Sequence, residues 1–187
     1  MKKLWLIVGM LCLFSWPLKA QEAPKVEVFG GYSYLRADTD PRSNANGWSA
    51  SLAANVNRYF GLAADFSGHY GSQTLNLSGT QAKVDGSAHT FLFGPRFSYR
   101  KPERVTPFAH VLLGGVRDKI AGRIGSISIS ETDTAFGLAL GGGLDVQLHR
   151  HVALRLIQAD YLMTRFNGET QNNARLSIGL VFRFGSR

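Results

Sequence analysis

The sequence predicts an all-β protein, an eight-stranded antiparallel up-and-down transmembrane β-barrel. Three observations carry that expectation. Apolar and small or polar residues alternate with period two in eight successive segments. Most of these segments run to ten residues or more, long for a soluble strand of about 5 to 6 but suited to a tilted strand crossing hydrocarbon, which needs about 9 to 11. Between them, tight and long polar connections alternate without exception, which in an up-and-down barrel gathers all tight turns at one end and all long loops at the other.

Ahead of the first segment, residues 1–20 read as a signal peptide. Lys2 and Lys3 form its charged start, Leu4 to Trp16 its apolar run, and Leu18-Lys19-Ala20 its cleavage site. The apolar run is shorter than the ~20 residues of a spanning helix. Residues 21–187 are then expected to be one barrel domain. Removing Lys2, Lys3 and Lys19 leaves 18 basic against 13 acidic side chains, so the net charge falls from +8 to +5. These charges are scattered and form no basic cluster, which argues against a nucleic-acid partner. The only cysteine, Cys12, lies inside the leader, so the exported chain holds no disulfide. Mean hydropathy is −0.06, ordinary for a barrel in which only alternate residues meet lipid.

The expected strands are Val26 to Arg36, Gly47 to Asn57, Phe60 to Tyr70, Ser87 to Arg100, Val105 to Val116, Thr134 to Leu148, Val152 to Phe166 and Ala174 to Phe184. The first sets Val26, Val28, Gly30, Tyr32 and Tyr34 on one face; the second does the same with Trp48, Ala50, Leu52, Ala54 and Val56. The third sets Leu62, Ala64, Phe66 and Tyr70 against Ala63, Asp65, Ser67 and His69. In the fourth, Phe91, Phe93, Pro95 and Phe97 oppose Leu92, Gly94 and Arg96. The sixth places Phe136, Leu138 and Leu140 opposite Gly137, Gly141, Gly143 and Asp145, and small residues suit the inside of a narrow barrel. In the last, Leu176, Ile178, Leu180, Phe182 and Phe184 back onto Arg175, Ser177, Gly179, Val181 and Arg183. Proline cannot donate to a ladder, so Pro95 and Pro107 are each expected at a bulge or a strand end.

The long connections are Ala37 to Asn46, Gly71 to Gly86, Arg117 to Asp133 and Asn167 to Asn173. Strand seven breaks the pattern: strict alternation groups Arg155, Ile157, Ala159 and Tyr161, yet Gln158 and Asp160 suit an interior better than lipid. A bulge near Ile157 would reconcile them, placing Asp160 in the interior or at the extracellular rim.

Charges inside a narrow lumen must be paired. The expected interior polar network comprises Asp65, Arg96, His110, Asp145, Arg155 and Arg183. A turn centred on Arg150 sets Asp145 opposite Arg155, and a similar count around Lys101 to Arg104 brings Arg96 near His110. Tyr32, Tyr34, Trp48, Tyr59, Phe60, Tyr70, Tyr99, Tyr161, Phe166 and Phe184 fall at strand ends, as interfacial aromatic girdles require.

No catalytic, cofactor or metal site is expected. Ser67, His69 and His89 fall near one rim, but no motif joins them, and a hydrolase needs nucleophile, base and orienting group within hydrogen-bond reach. His149 and His151 share a tight turn without ligand spacing. The reading is therefore a structural or surface-interaction barrel. A narrow pore for small solutes is the first alternative; a lipid-modifying enzyme and a soluble periplasmic ligand-binding barrel are the others.

Several segments carry a resemblance: Val28-Phe29-Gly30-Gly31-Tyr32-Ser33-Tyr34, Phe60-Gly61-Leu62-Ala63-Ala64-Asp65-Phe66, Pro107 to Gly115, Gly141-Gly142-Gly143-Leu144-Asp145 and Arg183-Phe184. Together they resemble the bacterial outer-membrane β-barrel family that includes the OmpA transmembrane domain and the OmpX-type small barrels. The resemblance implies a Gram-negative outer-membrane location, contact with outer-membrane lipid and lipopolysaccharide, and passage by periplasmic chaperones to the barrel-insertion machinery. Phe184 resembles the family's terminal insertion signal, although here Gly185-Ser186-Arg187 follow it. The motifs are permissive and specify architecture far better than activity.

Overall fold

The computed structural model describes residues 24–37, 43–77, 80–100, 104–124, 127–166 and 169–186. The leader expected over residues 1–20 lies outside the described residues. Eight strands follow one another: β1 (Pro24–Ala37), β2 (Ser43–Asn55), β3 (Phe60–Leu77), β4 (Thr80–Ser98), β5 (Val105–Ile124), β6 (Ile127–His149), β7 (Val152–Phe166) and β8 (Glu169–Ser186). Each pairs antiparallel with its neighbour, and β8 returns to β1, closing the barrel. Closure leaves no open edge, so the backbone groups of the wall are satisfied by their neighbours, as hydrocarbon demands.

The apolar face is the outer one. Leu62, Phe93, Ile178 and Phe182 are exposed, with Phe93 at 67%, while Ala53, Ala139, Ala153 and Val181 on the opposite face are fully buried. A continuous apolar surface of this kind is unsuited to water and suited to lipid. Along β2 and the residue that follows it, the surface runs from Trp48 to Val56, about 26 Å of chain, or roughly 20 Å of height at the usual barrel tilt.

Two expectations about the connections need correction. Gly71 to Gly86 and Arg117 to Asp133 are not loops: the β3–β4 ladder continues from Gly71↔Gly86 to Leu77↔Thr80, and the β5–β6 ladder from Arg117↔Thr134 to Ile124↔Ile127. The segments keep period two and β-branched residues such as Val84, Ile120 and Ile127, so pairing outlasts the membrane. Likewise β2 begins at Ser43 and β8 at Glu169, inside two further expected loops. From Tyr70 to Leu77 the β3–β4 hairpin gains seven residues, about 23 Å of strand beyond the barrel rim.

Of the two prolines, Pro95 differs from expectation and Pro107 does not. Pro95 pairs with Leu62 and carries no bulge; the β4–β5 register is the same on either side of it, and the ladder merely skips from Phe93↔Leu113 to Arg96↔His110. Pro107 lies near the start of β5, opposite Leu144 in unbroken register.

The irregularity that matters for the lumen lies in β7. The β6–β7 register shifts between Leu144 and Asp145, and the β7–β8 register shifts between Arg155 and Gln158. Leu156 and Ile157 consequently both face outward. Beyond the bulge, Gln158, Asp160, Leu162 and Thr164 all point inward, and Ile157, Ala159 and Tyr161 separate from Arg155.

Candidate functional site: a sealed lumen under an open vestibule

Alternation delivers titratable side chains to the lumen from seven strands, and they meet in one chain of ion pairs and hydrogen bonds. At the tight-turn end Glu27 of β1 is the hub. Its carboxylate lies 3.3 Å from Arg96 Nη1, 2.9 Å from Arg100 Nη2 and 3.0 Å from Arg183 Nε. Arg96 also reaches Asp145, with Nη2 3.2 Å from Oδ2. Asp145 in turn accepts from Arg155, Nε to Oδ1 at 2.8 Å, the two residues being direct register partners. Arg155 Nη1 donates to Gln158 Oε1 at 2.6 Å, and Gln158 Nε2 donates to Asp160 Oδ2 at 2.8 Å. Asp160 meets His110 Nε2 and Arg175 Nη2, each at 2.8 Å. Arg175 Nη1 then crosses the lumen to Asp65 Oδ1 at 2.7 Å and Ser67 Oγ at 3.1 Å.

Aromatic rings hold this chain in place. The Arg155 guanidinium lies between the rings of Phe29 and Phe108, 4.2 and 4.3 Å from their centroids, and Arg96 stacks on Phe108 at 4.2 Å. A desolvated cation over a ring face gains substantially from the ring quadrupole. Glycine on β6 makes room for side chains of the two neighbouring strands. A Cβ on Gly141 would stand 2.0 Å from Asp160 Oδ1, and one on Gly143 would stand 2.8 Å from Phe108 Cζ. The packed centre leaves a void of only about 10 Å³, bordered by Asp65, Arg96, Phe108 and Arg155, no more than about one water.

All six residues expected inside, Asp65, Arg96, His110, Asp145, Arg155 and Arg183, are buried in the lumen. Arg96 and His110 are register partners, yet their side chains part, Arg96 to Glu27 and Asp145, His110 to Asp160. Asp160 is interior rather than at the rim. Four charged participants were absent from the expected network: Glu27, Arg100, Arg175 and Asp160, the last of which was expected in the interior or at the rim. Glu27 and Arg175 share the inward face by alternation, so their placement was available to period two; their distant partners were not.

On the outer surface Tyr32 and Trp48 face each other across β1–β2, with Tyr34 one step further out on the same face. Tyr32 donates to Asn46, and Tyr161 to Asn172. Toward the tight turns, Tyr59 stacks on Tyr99, and Phe184 is exposed opposite Val26 at the closing seam. The side chain of Phe166 lies outside the described residues. Ser67 and His69 point into the lumen, where His69 Nε2 bonds Ser33 Oγ at 2.9 Å, whereas His89 sits on the outer face, 3.3 Å from the Tyr70 hydroxyl. The three therefore do not converge. Among the described residues no group of three His, Cys, Asp or Glu is arranged to hold a metal ion.

Above the ion pairs the lumen opens. Leu35, Leu92, Leu112 and Leu162 form an apolar cluster with Ala53, Ala63 and Ala139, which runs up the barrel wall beside the ion pairs, with Leu92 opposite Asp65 and with Ala63 and Leu112 bordering the central void. A cavity of about 450 Å³ opens above it at the long-hairpin end, walled by Leu35, Ala45, Ala88, Val116 and Leu162, with His69, Thr90, Asp118, Lys119 and Asn173 among its polar members.

A closed barrel with lipid-facing alternate residues, a salt-bridged interior and strands projecting from one end defines a small integral outer-membrane barrel protein. The chain belongs to the outer membrane protein β-barrel domain family, which it matches over residues 6–184. Among solved structures it is similar to Ail, the attachment invasion locus protein of Yersinia pestis, with 21% identity, a TM-score of 0.60, and 85% of this chain and 99% of that one covered. Neisserial surface protein A gives 13% identity and a TM-score of 0.60, with 88% and 99% covered. OprG from Pseudomonas aeruginosa gives 12% identity and a TM-score of 0.57, with 89% and 99% covered. No curated protein matches the chain by sequence.

Proposed function

We propose that this protein is a non-conducting outer-membrane anchor that presents its β3–β4 and β5–β6 hairpins at the cell surface and catalyses no reaction. The sealed lumen carries this reading: the Glu27-to-Asp65 chain of ion pairs crosses the barrel, and its central void is about the size of one water. The same observation counts against a narrow pore. Burial of Asp65, Asp145 and Arg175 in the barrel interior, with Leu and Phe outside, counts against a soluble calyx. A surface role is also consistent with the likeness to Ail, a structure of which is in complex with the heparin analogue sucrose octasulfate.

The membrane partner in this reading is the outer leaflet, including lipopolysaccharide. Arg36, Arg117, Lys119 and Arg165 are exposed on the outer face by strand alternation, just beyond Tyr32, Trp48 and Tyr70, where cations meet lipid phosphates and aromatic rings favour the headgroup level. Phe184 serves as the signal to the insertion machinery, reached with periplasmic chaperones. Purified protein in planar bilayers tests the central point. No discrete conductance is expected, and stepwise currents from the intact chain would overturn the reading.

A further inference from the structure

The 450 Å³ vestibule is not accounted for by anchoring. Its size falls within the range of about 300–1,000 Å³ usual for small-molecule pockets, which barrels often carry at their mouths. Its walls are mostly apolar, and Leu35 and Leu162 belong both to them and to the buried apolar cluster, so that part of the wall is firm. Against this apolar lining stands one carboxylate, Asp118 of β5, whose shielded Oδ1 has no hydrogen-bond partner.

On the inward face the charge around it is of one sign among the described residues. Asp133 faces Asp118 across the β5–β6 ladder, and Glu131 follows on the same face two residues along β6. Lys119 borders the cavity but alternates to the other face of β5, and Arg36, Arg117 and Arg165 also lie outside. Among the described residues, no Lys or Arg occupies the inward face above Arg175, which is itself bound to Asp65 and Asp160. A shielded carboxylate without a donor is costly, and a cationic hydrogen-bond donor is what relieves it. The neighbouring apolar wall would take a hydrocarbon group attached to that donor.

We infer that the vestibule binds a small amphipathic organic cation, a protonated amine bearing a compact hydrocarbon group, with the ammonium on Asp118 and the hydrocarbon against Leu35, Ala88, Val116 and Leu162. Thr90 and Asn173 also line the cavity. An anion of the same shape would meet Asp118 and Asp133 and be repelled, and a neutral one would leave Oδ1 unpaired.

The test uses the full exported chain in phosphatidylcholine nanodiscs, titrated with cyclohexylmethylammonium and followed by methyl NMR of Leu35, Val116 and Leu162. Saturable shifts at these methyls are expected, with Asp118→Asn weakening the affinity at least tenfold and cyclohexanecarboxylate producing none. Ala88→Trp, which fills the cavity while leaving Asp118 in place, should abolish the shifts and so separates occupancy of the cavity from the charge at its wall. Absence of saturable shifts overturns the inference. So does an Asp118→Asn affinity within twofold of the parent, equal binding of the carboxylate, or undiminished binding by folded Ala88→Trp.

Discussion

Replacing Glu27 by Gln should be the most damaging isosteric change in the barrel. The substitution keeps shape and volume but removes the one carboxylate shared by Arg96, Arg100 and Arg183, whose nitrogens stand 3.3, 2.9 and 3.0 Å from it. At an effective dielectric constant near 20, each such pair is worth about 4 kcal/mol of attraction. Much of this is offset, because the carboxylate's own desolvation penalty of several kcal/mol disappears with it. The three guanidinium groups also differ in what remains to them. Arg96 keeps Asp145, and Arg183 keeps contacts to Gln147 and Thr106 at 3.4 Å. Arg100, nearest the tight turns, keeps the carbonyl of Arg58. The remainder is a net loss of roughly 3–5 kcal/mol, the usual result of removing one partner from a buried pair.

Urea unfolding of the protein in lipid vesicles, followed by tryptophan fluorescence and heat-modifiable gel migration, measures this directly. With a slope of about 2 kcal/mol per molar urea, the midpoint should fall by roughly 2 M. Combining Glu27→Gln with Arg183→Gln should cost less than the two single changes added together, since each removes the other's unpaired charge. A Glu27→Gln midpoint within about 0.3 M of the parent, well under 1 kcal/mol at that slope, would refute the view that Glu27 holds this end of the lumen together.

Gly141→Ala places a methyl 2.0 Å from Asp160 Oδ1 and 2.6 Å from the Ala159 carbonyl, so it should destabilise by about 1–3 kcal/mol in the same unfolding assay, as overpacking does; an unchanged midpoint counts against the proximity of β6 and Asp160. Asp118 lies beyond the aromatic girdle, and burial first, then the charge of Asp133, raises its pKa to about 6 from 3.8. Its folded state therefore holds a proton that the unfolded chain releases, so stability falls as pH rises between about 4 and 6 and stays lowered above. Asp118→Asn should thus be more stable than the parent at pH 7.5 and equal to it near pH 3.5; a difference of the same size at both pH values contradicts the assignment. Phe184→Asp puts a charge on the lipid side of the closing strand and should reduce the heat-modifiable species in membrane fractions, whereas normal assembly would count against its role in insertion.

Period two was enough to reveal eight strands, the inward faces of all but the β7 stretch beyond Arg155, and the Asp145–Arg155 pair, because hairpin register depends only on counting from a tight turn. The same counting set Arg96 beside His110 but could not say where a long guanidinium turns; stacking on Phe108 and two carboxylates across the lumen decide that. Partners separated by long stretches of chain, such as Arg175 with Asp65 or Arg183 with Glu27, follow from barrel closure and side-chain reach, neither of which is local. The extended hairpins were hidden for another reason. Once strands leave the membrane the apolar positions thin to a few such as Val84, Ile120 and Ile127, and Gly71 to Gly86 reads as readily as loop as ladder. The vestibule has no sequence signal, since its walls come from strands that meet only after closure.

The last strand shows why so much charge is held inside a barrel that could be filled with apolar side chains. β8 must find β1 to close the sheet, and its outer face of Leu176, Ile178, Leu180, Phe182 and Phe184 would slide along any apolar neighbour with little discrimination. Arg175 and Arg183 remove that freedom. In the observed register Arg183 lies directly opposite Glu27, while Arg175 finds Asp65 and Asp160. A slip of one residue would turn both arginines into lipid, each at about 2–4 kcal/mol near the bilayer midplane and less toward the interfaces, and would leave three carboxylates in the lumen short of a cation. A slip of two residues keeps the faces but moves the arginines about 7 Å along the strand, away from their carboxylates. The polar interior therefore specifies the closing seam as well as sealing the lumen, and the bulge in β7 serves the same end, because only with Leu156 and Ile157 both turned outward does Asp160 stand where Arg175 can reach it.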